Sequence, residues 1–116
     1  MKIVNPVTLR VEDSSPWVSV GQEYVVLEVV AVPDSGVHLR IDLDDGGVPS
    51  VWSAVMFETV DRSVPSNWVV DVKEGGLLSM RPAAWLERGF WERYFDDDAA
   101  AIAAYERELA VILAES

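Results

Sequence analysis

The sequence predicts an α+β domain, with a strongly curled or barrel-forming antiparallel sheet of five or six strands over residues 1–81 and C-terminal helices packed on it over residues 82–116. Three observations predict it. Apolar residues recur at every second position up to about Arg81, the spacing that sends alternate side chains to opposite faces of a strand. Clusters of Gly, Asp, Pro and Ser interrupt that pattern at short intervals, as tight turns between short strands require. Beyond Arg81 the apolar period becomes helical. A length of 116 residues fits one domain that buries about two thirds of its unfolded surface. Half of the residues are hydrophobic and five are tryptophan, enough for a core without covalent staples. Cysteine is absent, which removes disulfides and thiolate zinc sites together.

Taken in order, Glu23 to Val32 (EYVVLEVVAV) is apolar on both faces apart from Glu23 and Glu28, the signature of a central or curled strand. Pro33-Asp34-Ser35-Gly36 supplies a turn, and Val37, Leu39, Ile41 and Leu43 then alternate with His38, Arg40, Asp42 and Asp44 as a half-buried strand. Asp44-Asp45-Gly46-Gly47 is a second turn, since an Asp-Gly step tolerates the positive φ of a tight hairpin. Val48–Trp52 and Val55–Val60 supply one broken strand or two short ones. Trp68–Lys73 and Leu77–Arg81 flank Glu74-Gly75-Gly76 as a third hairpin. Short strands joined this way suggest a meander closing into an SH3-like barrel.

The helical part begins at Pro82, suited to a first helical position, with one or two turns over Ala83–Leu86. Gly89 interrupts, and Phe90 to Phe95 forms an aromatic turn. One of Asp96, Asp97 and Asp98 caps the last helix, and the others favour its positive end. In that helix Ile102, Tyr105, Leu109, Ile112 and Leu113 make one apolar stripe, which must cover part of the sheet.

Charge is the chain's most unusual property. Twenty acidic residues stand against nine basic ones, a formal net charge of −11. Such a balance disfavours binding to a nucleic-acid backbone, which needs clustered cations; here there are two lysines and seven scattered arginines. No run approaches the ~18–20 apolar residues of a membrane span, and Met1–Pro6 does not read as a signal peptide. The expectation is a soluble cytoplasmic protein that does not bind membranes.

Several residues invite a chemical role. Asp42-Leu43-Asp44-Asp45-Gly46-Gly47 has the acidity of a calcium loop, but an EF-hand needs ligands at alternate positions and a glutamate at the twelfth. The fifth position here is Gly46 and the twelfth is Ser53, so a hairpin turn with solvated carboxylates is the better reading. His38 is the single imidazole and shares a strand face with Arg40 and Asp42. It has no serine in a nucleophile turn and no second histidine for zinc, which makes it a surface histidine. Trp68 alternates with Val70 and Val72, which points to core, and Trp85 and Trp91 with Phe90, Tyr94 and Phe95 form a pad joining helices to sheet. Trp17 and Trp52, in or beside loops, are candidates for exposed anchors. Residues 82–116 hold eight acids and three arginines, and three consecutive aspartates exceed what one cap needs.

Val20–Leu27, Leu39–Asp42 with Asp45-Gly46, and Phe57–Asp61 together resemble small bacterial SH3-like barrels. Pro82–Tyr94, with Gly89-Phe90-Trp91-Glu92 and the acidic helix after it, resembles small proteins encoded beside bacterial polymorphic toxins, among which immunity proteins are common. The resemblance implies a non-enzymatic protein that blocks one cognate toxin by covering a basic site with acidic side chains. It carries over no catalytic residue, metal or cofactor. The expected partner-binding residues are Asp96, Asp97 and Asp98, a second patch of Asp42, Asp44 and Asp45, and Trp52 as anchor. Two alternatives stay open from the residues alone. One is a small-molecule or accessory domain with an aromatic pocket lined by Trp85, Trp91 or Tyr94. The other is a hydrolase using two facing carboxylates.

Overall fold

A computed structural model gives the fold, and the described residues are 1–4, 21–43 and 48–116. Trp17, Asp44, Asp45 and the Asp44–Gly47 turn lie outside them. The architecture is α+β: an antiparallel sheet of seven strands followed by a short helix and a longer C-terminal one. The strands are β1 (Lys2–Val4), β2 (Glu23–Val32), β3 (Gly36–Asp42), β4 (Ser50–Ser53), β5 (Glu58–Asp61), β6 (Trp68–Val72) and β7 (Leu78–Pro82). The helices are α1 (Phe90–Phe95) and α2 (Ala99–Ala114), preceded by a 3-10 turn over Ala83–Leu86. The described residues form seven strands, more than the five or six expected from the sequence. The extra one, β1, is three residues long, too short for an alternating pattern to register.

Strand β2 organises the sheet. It pairs along its length with β3 on one side, and on the other with β1 at its start and β7 at its end. A ten-residue strand with neighbours on both sides is why its sequence is apolar on both faces. Its register against β3 shifts between Val26 and Glu28, a bulge that places one extra residue, Leu27, in β2. Val26 and Leu27 are therefore both buried although adjacent. Beyond these pairings β4 adds to β3, β5 to β1 and β6 to β7, each with one hydrogen-bonded strand neighbour among the described residues. The pairings among the described residues join these strands into one antiparallel sheet.

Turn chemistry follows the residues. The β2–β3 hairpin closes with Ser35 N–H donating to Val32 C=O at 3.0 Å, and both Asp34 and Gly36 adopt positive φ. The β6–β7 hairpin closes with Lys73 N–H on Leu77 C=O at 2.8 Å, and Gly75 and Gly76 supply two consecutive positive φ angles that side chains resist. Between β4 and β5 the chain makes a 3-10 turn, Ala54–Met56, so this stretch is two short strands.

One core runs through the domain. Ile3, Tyr24, Val26, Val29, Leu39 and Ile41 come from the sheet, and Trp85, Phe90, Ala101, Tyr105 and Ile112 from the helical end. Trp85 is at its centre, stacked on Tyr105 and Phe90 with Trp91 edge-on. Burying an aromatic ring of this size contributes about 4–6 kcal/mol of gross transfer free energy. The buried face of α2 is Ala101, Tyr105 and Ile112, rotated from the stripe the sequence suggests: Leu113 is exposed, and Ala101 is buried because its small side chain suits close packing. The expectation for β6 holds at one position only. Trp68 is buried, but Val70 and Val72 are 64% and 65% exposed, because their strand lies at the sheet edge beyond the core.

Candidate functional site

Two regions gather the chain's charged chemistry. The first lies on the sheet, where register dictates it. Arg40 pairs across β3–β4 with Val51 and across β3–β2 with Glu28, and Arg81 pairs across β7–β6 with Val69. Extending the β2–β7 register by one residue sets Glu28 opposite Arg81. Val51, Arg40, Glu28, Arg81 and Val69 therefore form one row across five strands. The adjacent row, Trp52, Leu39, Val29, Met80 and Val70, points to the opposite face and carries the apolar core contacts of β2 and β3.

Glu28 is 2% exposed. A carboxylate so deeply buried needs partners, and it has two cations. Arg40 Nε donates to Glu28 Oε1 at 2.8 Å, and Arg81 Nε lies 3.2 Å from Oε2. The second contact is an ion pair without hydrogen-bond alignment, so Glu28 Oε2 and Arg81 Nε lack a hydrogen-bond partner. The Arg40 guanidinium also stacks over the Trp91 ring, 3.9 Å from its centroid, which ties α1 to the sheet by a cation–π contact. The sequence marks this site only by Glu28, the one acid in the middle of an otherwise apolar central strand. Arg40 falls on the polar face of this half-buried strand, yet its side chain is only 13% exposed, because Trp91 covers it.

Beside the network lies a cavity of about 250 Å³ lined by Glu28, His38, Arg40, Arg81 and Trp91, with Val30, Val32 and Val51 as its apolar wall. His38 borders it, its Nε2 3.2 Å from Ser35 Oγ. A second hollow of about 370 Å³ shares Arg81 and Trp91 and is lined further by Lys73, Trp85 and Arg88. Tyr94 and Tyr105 stand behind the stacked pair. Burial raises the Tyr105 hydroxyl well above the ordinary tyrosine range, helped by Tyr94 and Asp42 and opposed by Arg40. Burial and Glu106 raise Tyr94 in the same way.

The second region is the α1–α2 junction. Asp96 caps α1 through its backbone, Asp97 adopts a left-handed φ of 61°, and the Asp98 carboxylate accepts the Ala101 N–H at 3.0 Å as N-cap of α2. All three are exposed, and the side chains of Asp96 and Asp97 take no part in the capping. The other expected binding residues are placed differently. Asp42 is half-buried, has an interaction partner of its own, and acts electrostatically on Tyr105. Trp52 is half-buried on β4, packs against the core, and donates from Nε1 to Ser50 Oγ at 2.7 Å. Among the described residues no three His, Asp or Glu side chains converge to hold a metal ion, and no helix is long and apolar enough to cross a membrane. Comparison with protein-family models, with curated proteins and with solved structures finds no match to this chain.

Proposed function

We propose that this protein is a non-enzymatic binding protein that presents an acidic exterior to a basic protein partner, in the manner of an immunity protein covering a toxin's basic site in the bacterial cytoplasm. The observation that carries this reading is the direction in which the charges face. Two of the chain's nine basic residues, Arg40 and Arg81, are turned inward onto Glu28. That cluster has a formal charge of +1, so a chain of net −11 leaves −12 for everything outside it. Asp96 and Asp97 are exposed with side chains that the helix caps do not use, at the end of α2 where the backbone contributes positive partial charge. Complementary charge of this kind raises association rates and selects partners. The same reading takes the antiparallel sheet and its hairpins as an SH3-like barrel, for which the short strands and tight turns speak.

The test is capture of a partner from native lysate at low salt, followed by association kinetics of the purified pair across ionic strength. The on-rate should fall about tenfold or more between low and high salt, because screening at physiological ionic strength acts within about 8 Å. The triple variant Asp96→Asn, Asp97→Asn, Asp98→Asn should slow association at low salt while keeping the N-cap, which asparagine also makes. An on-rate indifferent to salt, or substrate turnover lost on removal of one carboxylate or of His38, would contradict the reading.

A further inference from the structure

We infer that the cavity beside Glu28 is a binding site for a small organic anion, a carboxylate or phosphate monoester with a short apolar body. The inference is independent of the acidic-partner reading, since it concerns a buried site where two arginines face one carboxylate. Two guanidiniums share a single carboxylate there, and their side chains are only 13% and 16% exposed. A buried cation in excess of its counter-ions is costly, because desolvation is not offset by a matching negative charge. Arg40 donates from Nε to Glu28, and Arg81 holds its Nε 3.2 Å from the same carboxylate. Among the described residues neither has a further polar partner, which leaves their outer Nη edges open there to an acceptor. That edge is the planar fork that receives carboxylates and phosphates in bidentate fashion.

A second observation points to a ligand. Glu28 Oε2, Arg81 Nε and Trp91 Nε1 are buried polar atoms without hydrogen-bond partners, and all three belong to residues lining the cavity. Glu28 Oε2 and Arg81 Nε face each other as an ion pair 3.2 Å apart, whereas Trp91 Nε1 has no partner, and a buried group left unpaired costs about 1–3 kcal/mol. Val30, Val32 and Val51 line the cavity on the same sheet face as Glu28 and Arg40, and the Trp91 ring lies against the Arg40 guanidinium. Cationic edges beside valine side chains suit an anion attached to a few carbons. A free inorganic anion would leave the apolar wall without a contact.

The test uses the full chain in low-chloride buffer, titrated calorimetrically with butyrate, phenylacetate and phenyl phosphate. Butyramide and phenylacetamide are the uncharged controls, and inorganic phosphate and chloride the bare anions. Saturable one-to-one binding of the organic anions is expected, at least about tenfold tighter than the amides. The carboxylate and phosphate arms decide which head group the arginines prefer. Val51 is half exposed at the cavity wall directly opposite Arg40, so it can be changed without cutting an ion pair. Val51→Glu places a tethered carboxylate opposite Arg40 and should weaken anion binding about tenfold or more. It should also melt higher than Val51→Lys, which adds a further cation to the same place. Arg107→Gln, at an exposed ion pair far along α2, should leave binding unchanged. The inference is overturned if no organic anion binds saturably, if the amides bind as tightly, or if Val51→Glu binds as well as the wild type. The melting comparison needs no ligand, and Val51→Lys melting at or above Val51→Glu would contradict the excess cation itself.

Discussion

Glu28 and the Asp96–Asp98 run use the same functional group in opposite surroundings. Glu28 sits in the middle of a seven-stranded sheet with two guanidiniums on its oxygens. The three aspartates stand in solvent at a helix junction, and only the Asp98 side chain has a structural task there. A carboxylate's consequences are therefore set by what surrounds it. Buried, it fixes cations and holds strands in register; exposed, it adds to the field that a partner meets. The difference separates the residues that keep the fold from those free to act on something else.

The widest gap between the two regions lies in stability. Glu28→Ala should cost about 3–5 kcal/mol in a denaturant titration, because it leaves two guanidiniums buried without their counter-ion. Replacing Glu28, Arg40 and Arg81 together by Met should cost less than that single change, since no charge is then stranded. A triple variant weaker than Glu28→Ala would show that the network contributes more than charge balance. At the junction, Asp98→Ala should cost about 1 kcal/mol through loss of the cap on Ala101 N–H. Asp96→Asn and Asp97→Asn should change stability by no more than about 0.5 kcal/mol, as surface substitutions do. A larger loss at either would mean the run is structural throughout.

The smallest effect concerns pH. Glu115 accepts from Ser66 N–H at 2.7 Å and from the Ser66 hydroxyl, and these bonds hold its carboxyl below the ordinary glutamate range. Asp61 is held low in the same way by the backbone and hydroxyl of Ser63. A carboxyl whose pKa is depressed by folding stabilises the fold above its unfolded pKa, and that contribution is lost as pH falls through the folded value. The stability difference between wild type and Ser66→Ala should therefore be constant above about pH 5 and shrink as the solution becomes more acidic. A difference that grows on acidification would reverse the assignment.

Much of the fold was legible because local chemistry and long-range pairing agree in it. Pro33–Gly36 and Glu74–Gly76 announced their hairpins, and the apolar run of β2 announced a strand with neighbours on both sides. Asp98 was legible as a cap from the helix that follows it. The site on the sheet was not, because it depends on which strands become neighbours. Glu28 and Arg40 are twelve residues apart, while Arg81 comes from a later hairpin whose place beside β2 no local pattern encodes. Trp91 then covers a strand face that alternation alone would leave in water. The one local signal was a lone acid within EYVVLEVVAV, and a buried acid demands a cation. At β6 the alternation misled in the other direction, since an edge position exposes Val70 and Val72 whatever their hydropathy.

The central claim is that the carboxylates of the α1–α2 junction are available to a basic partner while the arginine–glutamate network is internal. The most direct measurement is a backbone amide NMR map of the full chain titrated with a hexa-arginine peptide. The account predicts the largest shifts at residues 96–101, abolished by about 0.5 M salt, where charges are screened within a few ångströms. Shifts of equal size around Asp34, Glu58, Asp71 and Glu74, or a pattern indifferent to salt, would contradict it.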